Sequence, residues 1–77
     1  MTSRDLYVHW GSRVREHRLA ANLTQQALAD AAGSTNAHIS NIERGLTSVS
    51  DALRMRIAAA LGTTAAELFP YPDKVSA

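Results

Sequence analysis

Apolar side chains return along this chain at intervals of three and four, the spacing that places them on one face of an α-helix. Leu6, Trp10, Val14, His17 and Ala21 form such a series and predict a first helix over about 5–21. Asn22 follows it, at a position where helices commonly end in a left-handed residue, so a tight corner is expected. Thr24 is a suitable N-cap for a second helix, Gln25 to Ala32, with Leu28, Ala29 and Ala32 apolar and Gly33 as its stop. Ser34 or Thr35 can cap a third, Asn36 to about Arg44, with Ile39 and Ile42 inward and Gly45 at its end. Leu46 to Val49 reads as a loop, and Ser50 or Ser48 caps a fourth helix ending at Leu61-Gly62, with Leu53, Ile57, Ala60 and Leu61 on one face. Thr64-Ala65-Ala66-Glu67 has the form of a capping box, which opens a fifth helix through Leu68 and Phe69, closed by Pro70. The segment after Pro70 has no periodicity and reads as a flexible end or an interface strap.

The second and third helices are short and joined by a three- or four-residue turn containing Gly33, which is the signature of a helix-turn-helix. With Ile39 and Ile42 facing the second helix, the opposite side of the third carries Asn36, Ala37, Ser40, Asn41 and Arg44. Amides, a hydroxyl and a methyl suit the major groove of duplex DNA: Asn pairs bidentately with adenine, and a methyl meets the thymine methyl.

Composition narrows the picture. A chain of 77 residues, 14 of them alanine and only four Phe, Trp or Tyr, makes one small domain with a thin core. At this size about 60% of the unfolded surface is buried, which disfavours a deep catalytic cleft. Cysteine is absent, so stability must come from helix packing or self-association. No apolar run reaches the roughly 18 residues of a membrane span, and the first residues lack the apolar stretch of a signal peptide. A soluble cytoplasmic protein without membrane contact is expected. The net charge is only +1, yet residues 1–22 hold Arg4, Arg13, Arg15 and Arg18 against Asp5 and Glu16, so the first segment is the electropositive end.

Candidate chemistry is sparse. His9 and His17 stand eight apart, but no Cys and no dense carboxylate group completes a metal site,. His38, near the start of the third helix, reads as a surface residue, with a phosphate contact as the sharper alternative. No nucleophile elbow or glycine-rich phosphate loop is present, so neither an enzyme nor a cofactor is expected. Arg18 falls on the inward side of the first helix and Glu43 beside Ile42 at the end of the third.

Trp10 to Phe69 resembles the lambda-repressor-like (Xre-type) helix-turn-helix DNA-binding domain. The matching run is Gly11-x-x-Val14-Arg15-x-x-Arg18, Leu23-Thr24-Gln25-x-x-Leu28-Ala29-x-x-Ala32-Gly33, Ile39-Ser40-x-Ile42-Glu43-Arg44-Gly45, Ile57-Ala58-x-Ala60-Leu61-Gly62 and Glu67-Leu68-Phe69. The resemblance implies an all-α, compact five-helix fold, with 1–9 an N-terminal extension and start of helix 1, 10–69 the domain, and 70–77 a tail. It implies base contacts from Thr35, Asn36 and Ala37, with Asn41 one turn later, and Ser40 joins them from the outward face. It implies phosphate contacts from Gln25, which also braces the recognition helix, and from Arg44, Thr47 and Ser48. It implies a structural ion pair between Arg18 and Glu43. It also implies a bacterial or phage setting, since small phage repressors and restriction-modification controller proteins are little more than this domain.

The chain departs from the family pattern in five places. Val49-Ser50-Asp51 stands where Pro-Ser-Leu is usual and Arg54 where a core leucine is common, so the fourth helix is expected to turn Leu53 inward. His17 takes an apolar position and Ser34 a small apolar one. The loop lacks the Lys and Arg that many relatives set against phosphate.

The leading expectation is a sequence-specific transcriptional regulator, of repressor or controller type, binding a double-stranded operator with an inverted repeat as a homodimer. Leu46, Met55, Leu68, Phe69 and Tyr71 are apolar groups left over for that interface. The alternative is an antitoxin-like interaction module, with a toxin as protein partner and DNA binding secondary, suggested by the weak charge and the tail.

Overall fold

The computed structural model describes residues 2–71. They form α1 (Ser3–Ala20), α2 (Gln25–Ala32), α3 (Asn36–Glu43), α4 (Asp51–Ala60) and α5 (Ala65–Leu68), with no strand among the described residues.

Every helix starts in the same way. The hydroxyls of Thr2, Thr24, Thr35, Ser50 and Thr64 accept the amides of Asp5, Ala27, His38, Leu53 and Glu67 at 3.0–3.2 Å. Each bond satisfies an amide that the helix cannot satisfy itself, worth about 1 kcal/mol. At α1 the Asp5 carboxylate also accepts the Thr2 amide, at 3.1 Å, so the helix begins two residues before the expected start. That reciprocal box draws the Asp5 carboxyl below the ordinary carboxylate range, chiefly through the backbone amide of Thr2,. At Thr64 only the hydroxyl half of the expected box is made.

Asn22 adopts φ 58 and turns the chain from α1 into α2. The helix has already ended at Ala20, and Ala21 is exposed, which corrects its placement on the inward face. The buried stripe of α1 is instead Trp10, Gly11, Val14 and Arg18.

The core joins Trp10 and Val14 of α1 to Leu28, Ala29 and Ala32 of α2, Ile39 and Ile42 of α3, and Leu53, Ile57 and Ala58 of α4. Val49, within the loop, is buried as well. α1 packs on α3 so closely that a Cβ on Gly11 would lie 2.2 Å from the Ile42 carbonyl oxygen. Gly45, at φ +72, has its Cβ direction filled by Val8, 2.6 Å from Cγ2, so only glycine fits there.

Leu68 and Phe69 are 0% and 3% exposed and complete the chain's own core, which removes them from the expected dimer interface. Phe69 meets the Trp10 ring edge-on at 5.6 Å, Tyr71 does so at 5.4 Å, and the indole N–H donates to the Pro70 carbonyl at 2.7 Å. Packing therefore continues past residue 69; the remainder of the expected tail, 72–77, lies outside the described residues. On α4, Leu53 points inward, while the Arg54 guanidinium stands 4.8 Å above the Trp10 ring. A cation over an indole face, with Asp51 and Tyr71 beside it, replaces the leucine expected there,.

Candidate nucleic-acid interface

The site is built on α2, a three-residue turn and α3. Gly33, at φ 67, ends α2, and the Ser34 amide reaches back to the Ala29 carbonyl at 2.8 Å, a Schellman closure. Thr35 then caps α3. Across the pair, Ala29 and Ala32 let Ile39 and Ile42 come close, and all four are buried.

Successive residues of a helix turn by about 100°. On α3 this places Ile39, Ile42 and Glu43 in one arc, buried, and Asn36, Ala37, Ser40, Asn41 and Arg44 in the opposite one. Of these five, four are exposed and Ser40 is half-buried. Thr35 is exposed at the same end, and because its hydroxyl oxygen accepts the His38 amide at 3.1 Å, its hydrogen remains for an outside acceptor. His38 is half-buried at the flank. In the following loop the Thr47 hydroxyl donates to the Ser48 carbonyl at 3.3 Å, a bond it must release before it can donate to a phosphate.

The electrostatics of the two helix starts are alike. Neither α2 nor α3 carries an acidic residue in its first turn, so the positive ends of both helix dipoles stay uncompensated. Such ends attract anions, and backbone amides there bind phosphate.

Behind this surface lies a buried ion pair. Arg18 donates through Nε to Glu43 Oε2 at 2.6 Å and through Nη2 to Oε1 at 3.1 Å, and its Nη1 reaches the Leu23 carbonyl at 2.9 Å. The bonds to Glu43 raise the Arg18 pKa above its ordinary value against the opposing effect of burial. Gln25 Nε2 donates to Glu43 Oε1 at 3.1 Å. The group expected to brace the recognition helix is thus bonded to that helix.

The other residues expected at a dimer interface come from three separate segments. Leu46, Met55 and Tyr71 are each more than half exposed, on the loop after α3, on α4 and beyond α5. Among the described residues no cluster of three His, Cys, Asp or Glu forms, and no helix is long and apolar enough to cross a membrane.

Two residues that hold the site in place left no readable mark in the sequence. Arg56 Nε donates to the Ala32 carbonyl at 2.8 Å, fastening α4 to the end of α2 beside the turn. Arg13 bonds the carbonyls of Leu68 and Glu67, fastening α5 to α1. Both partners are far away in sequence, and an orphan carbonyl at a helix end is indifferent to which distant cation meets it. The glycine signals beside them were readable; the cations were not.

Residues 14–68 match the HTH_3 helix-turn-helix family. No curated protein matches the chain. Among solved structures, the restriction-modification controller protein C.AhdI from Aeromonas hydrophila is 36% identical, with a TM-score of 0.79 over 82% of this chain and 96% of that one. The clp gene regulator ClgR from Corynebacterium glutamicum is 30% identical, with a TM-score of 0.79 over 82% of this chain and 67% of that one. A hypothetical transcription factor, NHTF, from Neisseria is 26% identical, with a TM-score of 0.81 over 94% and 83%. By the match over 14–68, which holds both helices of the site and most of the core that carries them, the chain belongs to the HTH_3 helix-turn-helix family.

Proposed function

We propose that this chain is a sequence-specific, double-stranded DNA-binding transcriptional regulator that reads the major groove with α3. The observation that carries the reading is the division of α3: Ile39, Ile42 and Glu43 are buried against the rest of the domain while Asn36, Ala37 and Asn41 stand exposed on the opposite side. Thr35, Asn36, Ala37, Ser40 and Asn41 meet base edges, and Asn36 and Asn41 supply the bidentate amides. Gln25, His38, Arg44, Thr47 and Ser48 meet phosphates, and these contacts fix register without carrying sequence. The acid-free starts of α2 and α3 assist them. With few free cations, binding should have a shallow salt dependence for a DNA-binding domain.

The functional unit is a twofold homodimer on an inverted repeat, its recognition helices about 34 Å apart. Of the apolar groups expected at its interface, Leu46, Met55 and Tyr71 are exposed and remain available to it. The solved relatives named above are regulators and a controller protein, so the antitoxin-like reading is not carried forward.

Selection of bound duplexes from a random pool, followed by footprinting, tests the proposal. A selected inverted repeat, protected on one face at half-sites one helical turn apart, is the expected result. Failure to enrich any sequence at low salt would overturn it.

A further inference from the structure

Gly11 marks where α1 meets the end of α3, because its Cβ direction is filled by the carbonyls of Ile42 and Glu43. Residues of a helix advance by about 100° each, so Val8, Leu19 and Ser12 stand about 60–100° around α1 from that contact. All three are exposed. Val8 and Leu19, 45% and 51% exposed, are apolar groups of α1 that the core leaves uncovered. Arg15 stands at the edge of the same row. Positions 8, 12, 15 and 19 follow one another at intervals of four, three and four, the repeat by which one helix seats another. Ser12, in the middle, is small enough to let a second helix axis come close. Leu46 extends the apolar strip, since it is exposed and follows Gly45, whose Cβ direction Val8 fills.

The charges beside this seam are sorted by sign. Arg4 and Arg15 lie on its α3 side, about 20–40° from Gly11, and Asp5 and Glu16 lie on the far side, at about 120–140°. All four are exposed. Among the described residues only Asp5, through the Thr2 amide, has a side-chain partner. A phosphate backbone would gain nothing from Val8 and Leu19 and would be repelled by Asp5 and Glu16. A second α1, parallel and in register, offers the opposite sign at each height, because a twofold axis along the pair sets the basic flank of each helix against the acidic flank of the other. Antiparallel pairing would set like against like.

We infer that the outer seam of α1 seats α1 of a second copy of this chain, the two helices parallel, so that Arg4 and Arg15 of each copy meet Asp5 and Glu16 of the other. The inference rests on the homodimer reading above and deepens it by naming a surface. Flanking charges of this kind set the partner and the direction of pairing, while the apolar seam excludes water. Tyr71 packs on Trp10, which points about 160° away from Val8 around the helix. The seam and the Tyr71 side are therefore opposite faces of α1, and substitutions can tell them apart.

The test is sedimentation equilibrium of the full chain without DNA, over a concentration series at low and high salt, with circular dichroism to check the fold. The unaltered chain should self-associate, more weakly as salt is added. Arg15→Glu and Glu16→Arg each turn two attractive contacts repulsive and should weaken self-association about tenfold. Mixed one to one, these two variants regain both opposite-charge contacts and should associate with each other within about twofold of the unaltered chain. Leu19→Lys should weaken association with no rescue from either.

Failure of the mixture to recover would overturn the parallel seam, as would stronger association of Arg15→Glu alone, the sign of antiparallel pairing. A dimer indifferent to all three variants and broken by Met55→Lys would remove the seam and keep the homodimer. A chain monomeric at every concentration would remove both, and selection of bound duplexes decides the DNA-binding reading separately.

Discussion

The helix pair α2–α3 and the frame of α1, α4 and α5 are built by different rules. All four Phe, Trp and Tyr residues lie in α1 or just after α5, none in the pair. Each frame helix carries an acid in its first turn, Asp5, Asp51 or Glu67, and neither helix of the pair does. The frame neutralises its own helix dipoles and fills space with Trp10 and Phe69. The pair holds itself with alanine against isoleucine and leaves its outer side free. A surface that must meet an external anion gives up local stabilisation, and the frame offsets the loss through two joints: the Gly11 contact and the Arg18–Glu43 pair.

The largest effect should come from breaking the second joint. Arg18→Ala strands Glu43 in a site where its side chain is 2% exposed and should cost about 3–5 kcal/mol in urea denaturation. That is a large part of the stability of a domain this size. A loss below about 1 kcal/mol would mean that water reaches the carboxylate and the joint is weak.

Gly11→Ala tests the first joint. The added methyl collides with backbone at the end of α3, and overpacking of this kind costs about 1–3 kcal/mol, more than the roughly 1 kcal/mol that alanine contributes to a helix. A raised melting temperature would show that α1 and α3 separate freely, and the two regions would then not be rigidly joined.

On the pair itself, folding and binding should come apart. Asn36→Ala should leave the melting temperature unchanged and cost about 1–3 kcal/mol on a selected duplex, with little change on random DNA; Arg44→Ala should weaken both and lower the salt slope by about one. Equal loss on both duplexes for Asn36→Ala would displace the reading face from this end of α3. Ala37→Glu sharpens the contrast, because an acid in the first turn should stabilise α3 by about 0.3–1 kcal/mol while removing duplex binding. Parallel changes in stability and binding would erase the distinction drawn between the regions.

The smallest effect is confined to the frame. The Asp5 carboxyl is held below its ordinary range in the folded chain, so its contribution is complete above that range and disappears as pH falls through the folded value. Acid should therefore fray the start of α1 and leave α2–α3 intact, a slight loss of helical signal that Asp5→Asn abolishes.

Helix limits and caps were largely legible because they depend on neighbours in sequence: Thr24, Thr35 and Ser50 sit where local chemistry requires them, and Asn22, Gly33 and Gly45 mark the turns. The inward turn of Leu53 was legible for the same reason, since the polar group at Arg54 excluded the alternative register. What could not be read depends on distant partners. Nothing near Phe69 says that Trp10 will cover it, which is why Leu68 and Phe69 looked available for a second copy. Of the interface, the outward face of α3 followed from periodicity, whereas the bond from Gln25 to Glu43 needed three elements in their places.

Four of the seven arginines are fastened to groups of the same chain: Arg13 and Arg56 to carbonyls, Arg18 to Glu43 and a carbonyl, and Arg54 over an indole ring beside Asp51 and Tyr71. Guanidinium groups do this with a planar fork that lysine lacks, so an all-lysine version of equal charge would lose its frame. Dissolved salt screens contacts made in shelter far less than contacts made across open solvent. Ionic strength sufficient to strip a duplex from the outer side of α3 should therefore leave the buried Arg18–Glu43 pair closed, and the protein should come off its DNA folded and ready to rebind.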